Sequence, residues 1–485
     1  MRRGVRLGAH LSSLAAHFAC ERTLWRWRRM RDDMPMSLVD DLDALVSLET
    51  GEVARAIFSD EDIFNAEIDR IFGRAWLFLC HESQLPEPGD FFESIMGRDN
   101  VLVVRQKDGS LKAFLNSCTH RGNAVCRAEE GNARSFLCTY HGWSFGIDGR
   151  LKGVPGYKDL YHSDFDKSDY NLVEIAQLDS YRGFVFGTLD PDAPPLSDFL
   201  GATGRLGLEQ IAARGHMEVI PGIQKFRIEC NWKFAQDNCL DWYHPQVTHS
   251  SAMREGILPG PKRPELQHMD QDELIMQDGS ELAMARDSGM SGTRFPSVAV
   301  IGEYGHSISG PTTDAHVGEH DPSWRYGVSE RIGEDLTDIA GHPQIFPNTW
   351  VAATAQLSLR IPISPTVTEF WWFSFVDRNL PADKRRRAVV AANRVFGPAG
   401  ILEQDDGENW AQSTMQTFGA ASRNVPVRIN MGLGRGEVDR SKGVPRIDSV
   451  TNEHAQLWLY ECWKIWMKAP SWSDLRTATE PPERL

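Results

Sequence analysis

The sequence predicts an α+β fold, because segments with helical spacing alternate with groups of short strands joined by turns. Ile63, Phe64, Ile68, Ile71 and Phe72 recur at helical spacing and predict a helix. Apolar runs joined by Asp-Gly turns follow it, as expected for β-hairpins. With 485 residues, 41% hydrophobic and 25% charged, the chain has the composition of a globular protein and is long enough for two domains.

A β-rich module is expected from about Trp76 to Asp190. Within it, VLVVRQKDGSLKAFLN predicts a hairpin that turns at Asp108-Gly109, and SFGIDGRLKGV predicts another that turns at Asp148-Gly149. The elements predicted beyond the module are helices around Phe199–Ala213, Asn231–Tyr243 and Pro381–Phe396, strands in TAQLSLRIPI and TEFWWFSFV, and a long polar loop from about Ser250 to Gly341.

Charge and cysteine content narrow the possible functions. The net charge of −15 argues against a nucleic-acid partner, since phosphate binding requires a basic surface. The sequence contains no apolar run of the length that a membrane-spanning helix needs. Eight cysteines in a chain of this length are too few for a disulfide scaffold. We therefore expect a cytoplasmic protein without a membrane anchor.

Residues 1–35 differ from the rest of the sequence. Eight arginines fall within the first thirty-one positions of this acidic chain. The stretch LGAHLSSLAAHFAC is only weakly apolar and is interrupted by His10, His17 and two serines, which disfavours a targeting signal. We expect a disordered leader, with the working protein beginning at Met34 or Met36.

Two pairs of metal-ligand residues lie in predicted turns of the β-rich module. Cys118 and His120 form the first pair, and Cys138 and His141 form the second. Two thiolates and two imidazoles can bind one zinc ion, but zinc pairs are usually separated by two to four residues, whereas one residue separates the first pair. The same donors also suit a Rieske [2Fe–2S] cluster, which takes two cysteines on one iron and two histidines on the other.

A second candidate metal site lies in the segment DNCLDWYHPQVTHS. His244 and His249 are five residues apart, which is too far for one face of a regular helix. Pro245 follows the first histidine, and a proline there is expected to break the helix and bring the two imidazoles together. A third ligand must come from elsewhere, and the segment EQDDGENW offers several carboxylates. Their acidity alone does not choose among them.

Both segments resemble those of Rieske non-haem iron aromatic ring-hydroxylating dioxygenases, specifically their large α subunits. CTHRGNAVC…CTYHGW resembles the cluster motif, and NWKFAQDNCLDWYHPQVTH resembles the motif of the mononuclear iron. The resemblance extends from about Leu38 to the C-terminus. Within the family, the sequence is similar to the α subunits of the biphenyl, naphthalene and polycyclic aromatic hydrocarbon dioxygenases. It implies a small β-sandwich Rieske domain and a larger catalytic domain whose curved antiparallel sheet is flanked by helices. The expected boundaries are 1–35 for the leader, 36–75 for a helical part of the catalytic domain, 76–193 for the Rieske domain and 194–485 for the catalytic domain.

The resemblance also implies roles for individual residues. The cluster ligands would be Cys118, His120, Cys138 and His141, and the Fe(II) ligands His244, His249 and Asp406, with Asp405 as the alternative third ligand. Asp241 would orient His244 and bridge to His141 of a neighbouring subunit, and Asn238 would lie near the iron. The residues expected to line the substrate pocket are Cys239, Phe396 and Leu402.

The implied function is that of the terminal oxygenase of a multicomponent dioxygenase. Electrons from NADH would arrive through a reductase and a ferredoxin, and both atoms of O2 would be added to an aromatic ring to give a cis-dihydrodiol. A smaller β subunit in an α3β3 assembly is expected. Monohydroxylation or O-demethylation of an aromatic substrate is the main alternative, and a simple electron carrier is a weaker one. The pair His316 and His320 has metal-ligand spacing, but we interpret it as an exposed loop pair.

Overall fold

The computed structural model describes residues 39, 41–254, 296–312, 339, 341–352 and 354–485. The leader over residues 1–35, the predicted start at Met34 or Met36, and the His316–His320 pair lie outside these residues. The strands are β1 (Val46–Ser47), β2 (Glu52–Val53), β3 (Leu77–His81), β4 (Asp90–Met96), β5 (Asp99–Arg105), β6 (Leu111–Leu115), β7 (Glu130–Asn132), β8 (Ser135–Leu137), β9 (Ser144–Gly146), β10 (Leu151–Gly153), β11 (Gln177–Tyr181), β12 (Phe184–Thr188), β13 (Met217–Val219), β14 (Gln224–Ile228), β15 (Pro296–Ile301), β16 (Ser307–Pro311), β17 (His342–Ile345), β18 (Thr349–Ala352), β19 (Gln356–Ser364), β20 (Val367–Asp377), β21 (Val427–Arg428) and β22 (Arg446–Val450).

Helices occur between and after these strands, so the α+β prediction is confirmed. They are α1 (Glu61–Glu67), α2 (Leu196–Ala212), α3 (Trp232–Asn238), α4 (Pro245–Thr248), α5 (Ser250–Arg254), α6 (Ala382–Val395), α7 (Ile401–Met415), α8 (His454–Lys468) and α9 (Trp472–Ala478). The predicted first helix is confirmed, but only Ile63 and Phe64 lie in α1, and Ile68, Ile71 and Phe72 lie in a π-helical turn that continues it over Ile68–Phe72. At its start the Asp60 carboxylate accepts hydrogen bonds from the N–H groups of Asp62 and Ile63. No helix in the described part of the chain is long and apolar enough to cross a membrane.

The β-rich module is built from three small antiparallel sheets. Their strand orders are β6-β5-β4-β7, β10-β9-β8 and β11-β12-β3. The predicted hairpins are confirmed as the β5–β6 and β9–β10 pairs. Strand β3 at the start of the module pairs with β12 at its end, which closes the module on itself. A local apolar core that includes Phe136, Trp143 and Phe145 lies beneath the two cysteine-bearing turns.

Among the described residues, a nine-stranded antiparallel sheet forms the centre of the second part of the chain. Its order is β13-β20-β19-β18-β17-β16-β15-β22, with β14 also paired to β20. One face carries Leu357, Leu359 and Phe373, which belong to the main core shared with the β-rich module. There the rings of Phe373 and Phe78 lie 5.1 Å apart. Helices α3 and α7 pack together and α3 packs on β19, covering the opposite face.

Three sequence predictions require correction. The segment from Ser250 to Gly341 is not one polar loop, because it contains the paired and largely buried strands β15 and β16. The helix predicted over Asn231–Tyr243 ends at Asn238. Pro245 does not kink a continuous helix; it is the first residue of the separate four-residue helix α4, where its missing N–H costs no hydrogen bond.

Candidate metal centres

The two turns predicted to hold a cluster have the same backbone geometry. The N–H of Gly122 donates to the carbonyl of Cys118 over 2.8 Å, and the N–H of Gly142 donates to the carbonyl of Cys138 over 2.9 Å. These glycines have φ angles of +72° and +71°, a left-handed backbone conformation that residues with a Cβ rarely adopt. The structure thus places a cysteine and a histidine on each of two matched turns.

Aromatic packing brings the two histidines of these turns together. The ring centroids of His120 and His141 lie 4.5 Å apart. His120 stacks on Trp143 at 4.8 Å, and Trp143 in turn stacks on Phe165 at 5.9 Å. Tyr140 covers the other imidazole, with 3.8 Å between its ring and that of His141. His120 is therefore packed against the apolar core of the module, whereas His141 lies between His120 and the exposed ring of Tyr140.

The surroundings favour a thiolate at Cys138 but not at Cys118. Cys118 and Cys138 are buried and form no disulfide. Burial raises the pKa of Cys118, whereas the pKa of Cys138 is lowered because hydrogen bonds from the backbone of Tyr140 and the side chain of Asn123 outweigh its burial. The Nδ2 of Asn123 lies 3.7 Å from the Cys138 sulfur. Donors of this kind also stabilise the charge on the sulfurs of an iron–sulfur cluster.

The arrangement of the four side chains fits a two-iron cluster better than zinc. A single tetrahedral zinc ion requires all its ligand atoms close to one another. Among the described residues, the only group of three or more potential ligands whose atoms all lie within 4.8 Å of one another is His244, His249 and Asp406. The two cysteines and two histidines of the turns do not form such a group, as expected where two iron atoms divide the ligands.

The histidine pair and Asp406 form the second site. His244 directly precedes α4 and His249 directly follows it, so one short helix brings their rings to 5.3 Å from each other. Asp406 lies on α7, and its Oδ1 is 3.4 Å from the Nε2 of His244 and 3.3 Å from the Nε2 of His249. This oxygen is buried and has no aligned hydrogen-bond partner. Three potential ligand atoms therefore converge on one point.

The electrostatics of this site suit a cation. Burial disfavours the charged form of His244, yet the carboxylates of Asp241 and Asp406 outweigh it and raise its pKa to about 10. Burial also raises the pKa of Asp406, but the two neighbouring imidazoles outweigh that effect and bring the pKa well below its usual range. Two imidazoles and one carboxylate form the donor set of a two-histidine, one-carboxylate iron site, so the residues fit Fe(II).

Two further carboxylates contact the outer nitrogens of the imidazoles. The Oδ2 of Asp241 is 3.4 Å from the Nδ1 of His244, and the Oδ2 of Asp405 is 3.3 Å from the Nδ1 of His249. Each ring therefore has one nitrogen directed toward Asp406 and the other near a carboxylate. The Nδ1 of His249 is hydrogen-bonded to Asp405, whereas the Nδ1 of His244 lies within ion-pair distance of Asp241 without an aligned hydrogen bond. The sequence predicted this role for Asp241, whereas Asp405 was expected only as an alternative ligand. Adjacent positions on α7 point in different directions, which allows these two roles.

A buried ion pair fixes the start of α3, the helix that leads into this site. The Nζ of Lys233 lies 2.5 Å from the Oε1 of Glu67, and both side chains are fully buried. Glu67 also accepts hydrogen bonds from the indole N–H groups of Trp232, over 2.9 Å, and Trp463, over 2.7 Å. Helices α1, α3 and α8 are thus joined at one carboxylate.

The predicted pocket residues are brought together beside the second site. Cys239, Phe396 and Leu402 belong to one buried group, here called the pocket cluster, whose members are Cys239, Ala252, Trp350, Ala352, Trp372, Phe396 and Leu402. The Phe396 ring lies 4.9 Å from that of Trp350 and stacks on Trp372 at 5.1 Å. These two tryptophans were not predicted from the sequence. Asn238 lies at the end of α3, and its carbonyl accepts a hydrogen bond from the N–H of Asp241.

Comparison with known families assigns both parts of the chain. Residues 75–170 match the model of the Rieske [2Fe-2S] domain. Residues 212–437 match the model of the ring hydroxylating alpha subunit (catalytic domain). The first match contains the two cysteine-bearing turns, and the second contains His244, His249 and Asp406. The chain therefore has a [2Fe–2S] domain followed by a catalytic domain whose site is compatible with mononuclear iron.

The chain aligns with individual relatives over most of its length. The chain is 35% identical over 449 residues to biphenyl 2,3-dioxygenase subunit alpha of Rhodococcus jostii, an alignment that covers 91% of this chain and 94% of the relative. It is 32% identical to the large oxygenase component of the naphthalene 1,2-dioxygenase system of Pseudomonas aeruginosa, covering 87% and 93%. A solved structure of naphthalene 1,2-dioxygenase with indole bound superimposes with a TM-score of 0.76 at 30% identity, covering 90% of this chain and 96% of that one. The chain belongs to the family of aromatic ring-hydroxylating dioxygenase α subunits, which are oxidoreductases that combine a Rieske domain with a ring-hydroxylating catalytic domain.

Proposed function

We propose that His244, His249 and Asp406 bind the mononuclear Fe(II) of this dioxygenase. The convergence of Asp406 Oδ1 on both Nε2 atoms at 3.3–3.4 Å carries this assignment. We propose further that Cys118, His120, Cys138 and His141 bind the [2Fe–2S] cluster, which is supported by the matched turns. When bound, the cluster supplies electrons and the iron activates dioxygen.

The surrounding side chains would prepare these sites for that chemistry. Asp241 and Asp405 would hold the Nδ1 protons of His244 and His249, so that both Nε2 atoms remain free to coordinate. The buried aromatic rings of the pocket cluster would orient a planar substrate and exclude bulk water from it. Asn238, at the end of α3, would border the same space.

The reaction that this arrangement supports best is cis-dihydroxylation of an aromatic ring. Both oxygen atoms of O2 would enter the ring to give a cis-dihydrodiol, with NADH as the ultimate electron donor through a reductase and a ferredoxin. The biphenyl, naphthalene and benzene dioxygenases among the relatives support this reaction class. Monohydroxylation or O-demethylation at the same site is the alternative, and the reaction product distinguishes them.

We propose an α3β3 assembly in the cytoplasm, in which Asp241 links His244 to His141 of a neighbouring subunit. This proposal is supported by the position of Asp241, whose side chain contacts His244 and is 28% exposed. We also propose domain boundaries at 36–75, 76–193 and 194–485. The pairing of β3 with β12, which closes the β-rich module, supports the middle range.

The proposed function is tested by oxygen uptake and product analysis with the metal-loaded protein, a reductase and a ferredoxin. We expect NADH-dependent consumption of O2 only when an aromatic substrate is present, and a product that retains both oxygen atoms from 18O2. A product that contains one labelled oxygen atom would show that the reaction is monohydroxylation and not dihydroxylation. Reduction of the cluster without substrate oxidation across a broad aromatic panel would indicate an electron carrier instead.

A further inference from the structure

A row of buried polar side chains crosses the sheet face that carries the pocket cluster. Ser307, Gln344, Trp350 and Ser358 lie directly opposite one another on the successive strands β16, β17, β18 and β19. Each has a buried side-chain nitrogen or oxygen without a hydrogen-bond partner. Native proteins leave few such atoms, so four in one row indicate that the face is completed by a polar ligand or by water bound with it.

Arg360 adds a positive charge to the same face. It lies two residues beyond Ser358 on β19 and is fully buried. Its Nε donates to the carbonyl of Ala235 over 3.3 Å, and its Cζ lies 4.7 Å from the centre of the Trp350 ring. Its Nη1 has no hydrogen-bond partner. Since arginine remains charged in proteins, this buried guanidinium has capacity to bind an anion.

The described protein groups do not supply that anion. Within the described ranges, no carboxylate lies within the 4.0 Å ion-pair distance of the Arg360 guanidinium. Glu403 on α7 is close enough for the two charges to interact, but burial raises its pKa to about 8, which favours the neutral acid at pH 7. Its Oε1 is itself buried and unpartnered. The Arg360 guanidinium and the Glu403 carboxyl group therefore border the same space without forming an ion pair with each other.

Arg360 also lies close to the candidate iron site. Trp350, against which its guanidinium packs, belongs to the pocket cluster together with Cys239 and Leu402. Burial raises the pKa of Cys239 to about 12, and that thiol is within electrostatic range of both Arg360 and Asp406. An anionic group bound by Arg360 would thus be held in the pocket where the aromatic ring of the substrate is expected to react.

We propose that the substrate is an aromatic acid whose ring packs among Trp350, Trp372 and Phe396 and whose carboxylate is received by Arg360. The proposal rests on the proposed dioxygenase function and specifies its substrate class. A carboxylate accepts two parallel N–H donors, and charge-assisted bonds of this type are stronger than neutral ones. An unsubstituted hydrocarbon would fill the aromatic part of the pocket but leave the Arg360 Nη1 unpartnered.

The test compares equilibrium binding of matched acids and amides to the metal-loaded protein without O2. The pairs are 2-naphthoate with naphthalene-2-carboxamide and benzoate with benzamide, which differ in charge but hardly in shape. We expect the acid of at least one pair to bind roughly tenfold to a hundredfold more tightly than its amide. Arg360→Met should remove this preference, and Arg360→Lys should retain part of it because the charge remains. Visible absorption of the cluster and iron content verify that each variant is intact.

Arg227→Gln is the matched control, because it removes an arginine on β14 that pairs with Glu369 and is 62% exposed. It should leave the preference for the acid unchanged. Equal binding of acid and amide in both pairs to the unmodified protein would overturn the proposal, as would an unchanged preference in Arg360→Met. Binding is measured without turnover, so this result is independent of oxygen uptake. A protein that prefers the acid but oxidises no aromatic compound would contradict the proposed function and leave the anion site standing.

Discussion

The two candidate metal centres are assembled in different ways. The cluster residues come from two short turns of one module, and each turn supplies both a cysteine and a histidine within four residues. The mononuclear site combines the ends of α4 with Asp406 of α7, more than a hundred and fifty residues away. The first depends on local backbone geometry, whereas the second depends on how α3, α7 and the nine-stranded sheet pack. Substitutions should therefore affect the two centres independently.

The largest effect is expected from Asp406→Ala. It removes the oxygen on which both Nε2 atoms converge, so mononuclear iron and oxygenase activity should be lost while the visible spectrum of the cluster remains. Iron analysis, absorption spectroscopy and oxygen uptake measure these three properties. Asp405→Ala is the control, because its carboxylate contacts the outer nitrogen of His249, and it should weaken iron binding or activity by about 10- to 100-fold. The opposite ranking would make Asp405 the ligand.

The reciprocal substitution is Cys138→Ser in the β-rich module. A hydroxyl group is a poor replacement for a thiolate ligand, so the cluster spectrum should disappear while mononuclear iron is retained. Turnover should stop because electrons no longer reach the second site. Cys126→Ser provides the control, since Cys126 is half-buried and hydrogen-bonds to the carbonyl of Ala128. Loss of both metals in Cys138→Ser would show that the two centres are not independent.

Glu67→Gln tests the packing on which the mononuclear site depends. It leaves Lys233 charged and buried without its partner, which should lower the free energy of unfolding by about 3–5 kcal/mol. Chemical denaturation followed by tryptophan fluorescence measures this change. Glu174→Gln breaks the exposed pair with Lys112 in the β-rich module and should cost at most about 1 kcal/mol. Equal costs would mean that the Glu67 pair contributes little to stability.

Asp241→Asn should uncouple the centres without removing either metal. An amide holds the Nδ1 proton of His244 less strongly than a carboxylate does, and it offers no charge to a second imidazole. Turnover should fall by about 10- to 100-fold, while cluster content and mononuclear iron remain unchanged. Rapid reduction of the cluster with slow product formation, seen in stopped-flow experiments, would locate the defect between the centres. Turnover equal to that of the unmodified protein would exclude this role.

The smallest effect is expected from Asn123→Ala. It removes an N–H group that lies 3.7 Å from the Cys138 sulfur. Hydrogen bonds to the sulfurs favour the more negatively charged, reduced cluster, so the reduction potential should shift slightly downward. A redox titration followed by visible absorption measures it. Asn132→Ala, in the same module but bonded to Asp90, should leave the potential unchanged.

The sequence by itself determined the features that depend on residues close together in the chain. The Asp-Gly hairpins, the helix at α1 and the paired Cys and His turns follow from spacing and turn chemistry, and the motif resemblance identified the family. The break between His244 and His249 was also anticipated, although its form was not. Such local structure can be predicted from the sequence because short-range sterics and hydrogen bonds specify it.

The tertiary structure decided which distant residues meet. Acidity could not separate Asp405 from Asp406, because only the orientation of α7 against α4 places Asp406 between the two Nε2 atoms and Asp405 at the Nδ1 of His249. The alternation of Gln356, Ser358 and Arg360 with apolar residues predicted a strand but not that its polar face would be fully buried. This burial results from the helices that cover that face, and it makes Arg360 a candidate anion site beside the proposed iron ligands.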